Sequence, residues 1–348
     1  MRAYRLLGEC QAEVVDIRWP VPKPDEVLLR VLAAGVCRTD VALLRAPGAV
    51  DLPVTLGHEI VGEVVAAGSA VDDPQIGLTC AVYELIGCGV CPACRRGEDN
   101  LCRARSPEVP GITRDGGMAE FVSVPARNLV ALDGLDPVEA APLTDAGMTA
   151  LHAVERGQML LAPPATAVVV GIGGLGHLAV QFLRAMTDAR VVALDVDRAR
   201  LDLACELGAT VGVLSGEGAA NRVLAANQGQ KVDVVFDFVG NQESLDLAAE
   251  VTGRGGGIVV TGGGGGRLCL AAEMGVGRIP EREVMMIHTF GGNRADLVKA
   301  LMLAKTGDVA TKTVKFPLEE ANQAMAALRG GSVFGRAVLI PWGDVAPG

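Results

Sequence analysis

Aromatic side chains are scarce: Phe, Trp and Tyr together make up 3% of the 348 residues, and histidine occurs four times. Few rings are therefore at hand to line a pocket, and no basic run with interleaved aromatics supplies the footprint of a nucleic-acid or anionic-membrane binder. The charge runs the other way, with 41 acidic against 31 basic residues and a formal net charge of −10. Also missing is an apolar run approaching the ~20 residues that a membrane-spanning helix needs. The opening MRAYRLLGECQAEVVDIRWP carries acids where a secretory signal would be apolar. A soluble, cytoplasmic protein whose partner is a small molecule is expected, with no nucleic acid and no membrane.

What is present is apolar bulk and cysteine. Half the residues are hydrophobic, and the length exceeds what one core organises, so two domains are expected. Residues 1 to 150 read as short β-segments broken by Gly and Pro: EVLLRVLAAGV, HEIVGEVVAAGS, LTCAVYEL and MAEFVSVPARNLVAL. After PPAT, apolar strands alternate with helical stretches: AVVVG, a helix from Leu175 to Met186, ARVVALD, a helix over DRARLDLACELG, then VGVL, VDVVFDFVG and GGIVVTGG. That alternation predicts parallel βαβ units. The final portion supplies two helices and a closing strand, and GGGGG (262–266) is either a linker or a tight turn beside a ligand.

Nine cysteines in a reducing cytoplasm are better read as metal ligands or reactive groups than as disulfides. Cys88, Cys91, Cys94 and Cys102 follow C-x2-C-x2-C-x7-C, a spacing that folds four thiolates around one ion and suits a closed structural zinc site. A disulfide pair or unrelated surface thiols are the alternatives. Cys10, Cys80, Cys205 and Cys269 are expected to be ordinary small apolar residues. Cys37 in GVCRTD, His58 in LGHEIVGEVVAAGS and Asp145 in PLTDAGMT form a second candidate set. A thiolate, an imidazole and a carboxylate leave a fourth position open, as in a catalytic zinc site, whereas Cys37 and His58 taken singly read as packed core residues.

GIGGLG, Gly171 to Gly176, fits G-x-G-x-x-G between an apolar strand and the helix HLAVQFLRAM. Gly171 permits the tight turn, Gly173 lets a pyrophosphate approach the backbone, and Gly176 lets helix and strand pack; Gly174 and Leu175 complete the loop. The helix amino terminus faces the phosphates. Asp195 closes the next strand, where a carboxylate accepts hydrogen bonds from ribose hydroxyls and repels a 2′-phosphate, so NAD is expected rather than NADP.

In this order along nearly the whole chain, GVCRTD, LGHEIVGEVVAAGS, the cysteine loop, PLTDAGMT and VVVGIGGLGHLAVQFLRA resemble the zinc-dependent medium-chain alcohol dehydrogenases, closest to bacterial NAD-dependent members acting on secondary alcohols. The resemblance implies an α/β protein with a GroES-like, mostly β catalytic domain (1–150 and 291–348) carrying both zinc sites. A doubly wound Rossmann domain (151–290) would bind NAD. It implies two Zn2+ per subunit, one catalytic on Cys37, His58 and Asp145, with Glu59 able to approach the metal and Asp40 behind His58. It further places Arg200 on the adenosine side, Arg38 and Arg336 at the pyrophosphate, and Thr149, Phe238, Val239, Thr261, Gly262 and Gly263 along the nicotinamide half.

The implied reaction is reversible hydride transfer between a primary or secondary alcohol and NAD, giving an aldehyde or ketone. Thr39 matches the family's hydroxyl relay; Ala42 stands where many relatives have His, so the proton would leave through ribose and water. Phe290 falls where relatives place a pocket ring, with core packing the alternative. Glu84 is unexpected near the pocket, and either suits a hydroxylated substrate or points to solvent. A polyol or amino-alcohol dehydrogenase and a non-catalytic nucleotide-binding protein are the competing readings. A homodimer or homotetramer is implied, with EVMMIHTF as a pairing edge.

Overall fold

The computed structural model describes residues 1–73, 75–268 and 283–343. Contacts divide the chain into one unit formed by Met1–Met148 with Asn293–Gly348 and another formed by Thr149–Gly292.

The first unit is built around the strand Glu26–Val36, eleven residues in which nine are buried. A β-branched and aliphatic run this long can be buried only as the centre of a sheet, and it has neighbours on both sides. It pairs antiparallel with Glu59–Ala67 and with Phe121–Pro125. The seven-stranded sheet continues through Thr79–Val82 and Leu129–Ala131 on one side, and through Arg336–Ile340 and Thr313–Pro317 on the other. Register shifts at Leu28/Leu29 and Val31/Ala33 bend the central strand. Its far end brings Gly35 opposite Glu59, next to Cys37 and His58. Val27, Leu29, Val31, Ile60, Val64 and Leu339 belong to the core of this unit.

Some local structure departs from the expectation. The segment 118–132 does not form one strand: Pro125 cannot donate to a ladder, and the turn Ala126–Asn128 separates Phe121–Pro125 from Leu129–Ala131. A hairpin of Arg2–Gly8 and Gln11–Asp16 precedes the first expected strand. Cys80 is buried, but Cys10 and Cys205 are exposed rather than packed, and Cys269 lies outside the described residues.

In the second unit six parallel strands stand in the order Val211–Leu214, Arg190–Asp195, Thr166–Val170, Val232–Asp237, Thr252–Val260, Met285–His288. Counted along the chain this is 3-2-1-4-5-6, the doubly wound order, with its switch point between the first and fourth strands. Loops leaving those two strands, at Gly171 and at Phe238, therefore open on the crevice where such sheets bind ligands. The helices Gly176–Met186, Arg198–Glu206, Ala219–Ala226 and Gln242–Val251 carry the crossovers. Among the described residues no helix is long and apolar enough to cross a membrane.

Candidate metal centres and coenzyme loop

Cys37 follows the bent central strand and caps the helix Arg38–Arg45. Asp40 closes that cap: its Oδ2 accepts from the Cys37 backbone N–H at 2.8 Å, which turns Oδ1 toward His58 Nδ1 at 3.5 Å. His58 and Glu59 open the next strand. Asp145 follows the short helical turn Ala141–Thr144, and Thr144 ties that turn to the strand by accepting from the Ile60 N–H at 3.1 Å. The sheet and this tether gather donor atoms of Cys37, His58, Glu59 and Asp145 within 4.8 Å of one another. His58 Nε2 stands 3.4 Å from Asp145 Oδ2, close to the roughly 3.5 Å separation of ligands around a tetrahedral zinc with bonds near 2 Å.

The electrostatics are those of a site built for a cation. Burial by itself would lower the His58 pKa, yet Asp40, Asp145 and Cys37 raise it well above the usual imidazole value. Burial likewise works against the Asp145 carboxylate, but His58 and Arg336 hold its pKa well below the ordinary range. Glu59 is pushed well above the carboxylate range by burial, against the pull of Arg336. That guanidinium pairs with Glu59 Oε1 while both side chains are almost wholly buried. Glu59 Oε2 has no hydrogen-bond partner, and His58 Nδ1 and Asp40 Oδ1 face each other at 3.5 Å. Orphaned buried polar atoms are costly, and a thiolate, an imidazole and a carboxylate directed at one point form the mixed donor set that zinc accepts in an open site. The residues fit the metal.

The four-cysteine loop is a different kind of site. Cys88, Cys91, Cys94 and Cys102 also lie within 4.8 Å of one another. The Cys91–Cys94 and Cys88–Cys94 sulfurs are 3.5 and 3.9 Å apart, far beyond the roughly 2 Å of a disulfide. Backbone N–H groups of Cys88 and Cys91 donate to Cys102 Sγ and Cys88 Sγ at 3.4 and 3.3 Å. Backbone hydrogen bonds from Cys94 and Arg103 lower the Cys91 thiol to about 6, whereas burial pushes Cys94 to about 12. A Cβ on Gly87 would stand 2.6 Å from Cys94 Sγ, so glycine is needed there for the loop to close. Asp99 braces the lobe, accepting from Gly87 N at 3.2 Å and from Arg127 Nη1 at 2.9 Å.

In the second unit the glycine loop takes the shape its sequence predicts. Gly171 has φ +86°, and a Cβ on Gly176 would fall 1.9 Å from the Gly171 carbonyl oxygen. At Gly173 the nearest atom to an added Cβ is Arg200 Nη1 at 3.6 Å, which leaves the space a pyrophosphate needs. Arg200 lies over the loop, donating from Nη1 to the Ile172 carbonyl at 3.4 Å. Asp195 Oδ2 accepts from the Ile172 N–H at 2.6 Å, so the carboxylate that would meet the ribose also fixes the loop. The loop fits a dinucleotide.

Other expected positions divide by unit. Thr39 is exposed, with its Oγ1 3.6 Å from Cys37 Sγ, and Arg38 is exposed beside it. Arg336 is 3% exposed and pairs through one Nη with Glu59. Glu84 is buried, and burial, then the Asp145 charge, raises its pKa well above the ordinary range. In the second unit Thr149 is buried, Thr261 Oγ1 lies 2.7 Å from Thr289 Oγ1, and Gly262 N donates to the Asp237 carbonyl. A Cβ on Gly262 would meet the Val239 backbone at 2.3 Å, whereas nothing lies within 4 Å of one on Gly263. The glycine run is a tight turn, not a linker. Phe290 is 56% exposed, which removes the core alternative.

Asp237 was missed. Its Oδ1 accepts from Val239 N and Gly240 N at 2.8 and 2.9 Å, and its Oδ2 from Ser244 Oγ at 2.7 Å. A carboxylate closing a parallel strand, as Asp195 does, was the available signal.

Comparisons with known proteins accord with this geometry. The alcohol dehydrogenase GroES-like domain family matches residues 23–134, and the zinc-binding dehydrogenase family matches residues 174–306. The chain is 37% identical to an NAD-dependent alcohol dehydrogenase of Sulfurisphaera tokodaii, over 98% of this chain and 100% of that one. It is 32% identical to a D-arabinose 1-dehydrogenase (NADP+) of Saccharolobus solfataricus, over 94% of each. The crystal structure of the alcohol dehydrogenase from Aeropyrum pernix superposes with a TM-score of 0.90 at 36% identity, covering 98% of this chain and 100% of that one.

Proposed function

The chain belongs to the zinc-dependent medium-chain alcohol dehydrogenase family, and from that premise we propose that it catalyses reversible, NAD-dependent oxidation of primary or secondary alcohols to aldehydes or ketones. The observation that carries the reading is the convergence of Cys37, His58, Glu59 and Asp145 in a buried site where Glu59 Oε2 has no hydrogen-bond partner. Cys37, His58 and Asp145 would hold the catalytic zinc, and Cys88, Cys91, Cys94 and Cys102 a structural one. Zinc supplies a Lewis acid that lowers the pKa of an alcohol oxygen toward neutrality, and NAD supplies the hydride acceptor.

The chain's own residues do the rest. Asp40 orients the His58 ring, so that Nε2 faces the metal position with Asp145. Arg336 holds Glu59 by Oε1 and leaves Oε2 as the oxygen able to approach the metal. Gly35 makes room for this, since a Cβ there would stand 1.8 Å from Oε2. Thr39 Oγ1 would accept the proton of the reacting hydroxyl while giving up its own to the coenzyme ribose and water from an exposed position; Ala42, one turn on, has no group to receive it. Gly171 to Gly176, Asp195 and Arg200 would hold the pyrophosphate and adenosine ribose, and Phe238, Val239, Thr261, Gly262, Gly263 and Thr149 the nicotinamide half, with Arg38 a further pyrophosphate contact. Glu84 and Phe290 would border the substrate.

The edge strand Met285–His288, with Met285 and Met286 more than 40% exposed, would pair with a second copy in a dimer or tetramer. Cytoplasmic reducing conditions would keep the thiolates available to metal. The test is NADH formation with a panel of primary and secondary alcohols before and after chelation. Turnover is expected to vanish with the metal and return with added Zn2+; turnover that survives complete zinc removal refutes the mechanism.

A further inference from the structure

The first unit holds a cavity of about 570 Å³ that none of the metal-site or coenzyme-loop residues lines. Its size falls within the ~300–1,000 Å³ of small-molecule sites. One side of it follows from strand register. The short strand Val54–Thr55 pairs antiparallel with Arg2–Gly8, setting Val54 opposite Leu6 and Thr55 opposite Arg5. Alternation sends Leu6 and Val54 into the core of the unit, and puts Arg5 and Thr55 on the other face, where both line the cavity.

Two polar atoms on that face are left over. Thr55 is 1% exposed, and its Oγ1 has no hydrogen-bond partner. Arg5 donates from Nη2 to the Pro53 carbonyl and lies 3.4 Å from Asp115 Oδ1, but its buried Nε has no acceptor. Valine would fill the place of Thr55 without leaving a buried hydroxyl unmet, so packing gives no reason for threonine. Two unmet donors side by side call for an acceptor.

The surrounding charges set what kind. Four cationic side chains line the cavity, Arg5, Arg18, Lys23 and Arg114, against three carboxylates, Glu26, Glu108 and Asp115. The acids are already met: Glu26 by Arg114 at 2.8 Å, Glu108 by Arg105 at 2.8 Å, and Asp115 by Arg5 and by the Thr55 N–H at 2.8 Å. Arg18 is exposed and has no ion-pair partner among the described residues. The excess admits one negative charge, whereas a dianion would be repelled by the nearby carboxylates. Another part of the lining is apolar, with Ile17, Phe121 and Val122. Both tryptophans of the chain pack on Phe121, Trp19 stacked at 4.2 Å and Trp342 edge-on at 5.5 Å. In a chain so poor in rings, this cluster offers an organic body a surface.

We propose that the cavity is a binding site for a small organic monocarboxylate, whose carboxylate accepts from Thr55 Oγ1 and Arg5 Nε and whose hydrocarbon body lies against Phe121. The site shares no residue with the metal centres and does not rest on the dehydrogenase reading.

The experiment titrates 3-phenylpropionate into the zinc-loaded full chain without coenzyme and reads tryptophan emission, since both tryptophans border Phe121. Half-saturation below ~1 mM is expected, with the neutral 3-phenylpropanamide at least ~10-fold weaker. Thr55→Val should weaken the carboxylate by ~10-fold or more, while Thr55→Ser, which keeps the hydroxyl, should stay within ~3-fold of wild type. The Tm of ligand-free Thr55→Val should be no lower than that of wild type, because the substitution breaks no hydrogen bond. A carboxylate can also ligate zinc, so Asp145→Ala, expected to lose the ion of the open site, is the control; its half-saturation should stay within ~3-fold of wild type. Binding that disappears with that ion overturns the proposal. So does the absence of a saturable change, equal affinity for acid and amide, an unchanged affinity in Thr55→Val, or tighter binding of inorganic phosphate. If Thr55→Val does not fold, the ratio of acid to amide and the Ser variant decide.

Discussion

The two thiolate sites of the first unit are built by opposite means. In the cysteine lobe, residues 88 to 102 supply all four thiols from one loop, and local N–H···S bonds and Gly87 set the sulfurs close together. In the open site the candidate donor groups come from positions 37, 58, 59 and 145, and they meet because a bent central strand, its antiparallel neighbour and a tethered helical turn converge. Three of the lobe's four cysteines are partly exposed, whereas three of the four groups in the open site are buried. Each site follows from its task. A staple needs a closed set of identical ligands that a short loop can make alone. A site that must leave one position for substrate needs unlike donors, and a rigid scaffold to hold them incompletely saturated.

Breaking the open site should cost the most. Asp145→Ala is expected to lower kcat/KM by ~10³-fold or more and to reduce bound zinc from two ions per chain to one, read by elemental analysis beside steady-state rates. Thr39→Val removes the proton path but no ligand, so kcat should fall by roughly 10²-fold with the zinc content unchanged; a loss of metal in that variant would contradict the assignment. Asp40→Asn keeps an acceptor for the Cys37 N–H but weakens the partner of His58. Zinc affinity at the open site alone should drop by ~10–100-fold in a competition with chelator. The lobe should respond in stability instead. Cys94→Ser is expected to lower Tm by on the order of 10 °C, with kcat per correctly folded chain within ~3-fold of wild type. A catalytic loss as large as that of Asp145→Ala would erase the distinction between the sites.

Legibility in the sequence followed the same division. The cysteine lobe and the glycine loop were readable because both are local: a spacing fixes which thiolates can share an ion, and G-x-G-x-x-G between a strand and a helix specifies one turn. The parallel sheet was readable too, since apolar strands alternate with amphipathic helices at βαβ spacing. The pairing of Glu59 with Arg336, 277 positions away, left no trace. Asp237 looked like the end of a strand, yet its carboxylate fixes the loop that follows. Cys10 and Cys205 looked like packing residues and are exposed, because burial depends on which face of an element meets a neighbour.

Periodicity, turn chemistry and ligand spacing, all of which act over a few residues, determined by themselves that the chain forms a mostly β unit and a doubly wound one, with a four-thiolate loop and a phosphate-binding turn. Only the folded sheet decided that a thiolate, an imidazole and two carboxyls from distant segments share one buried point. It also decided that an arginine restrains one of those carboxyls. Such encounters arise from strand register and bulges, and a linear order of residues carries no distance between its remote parts.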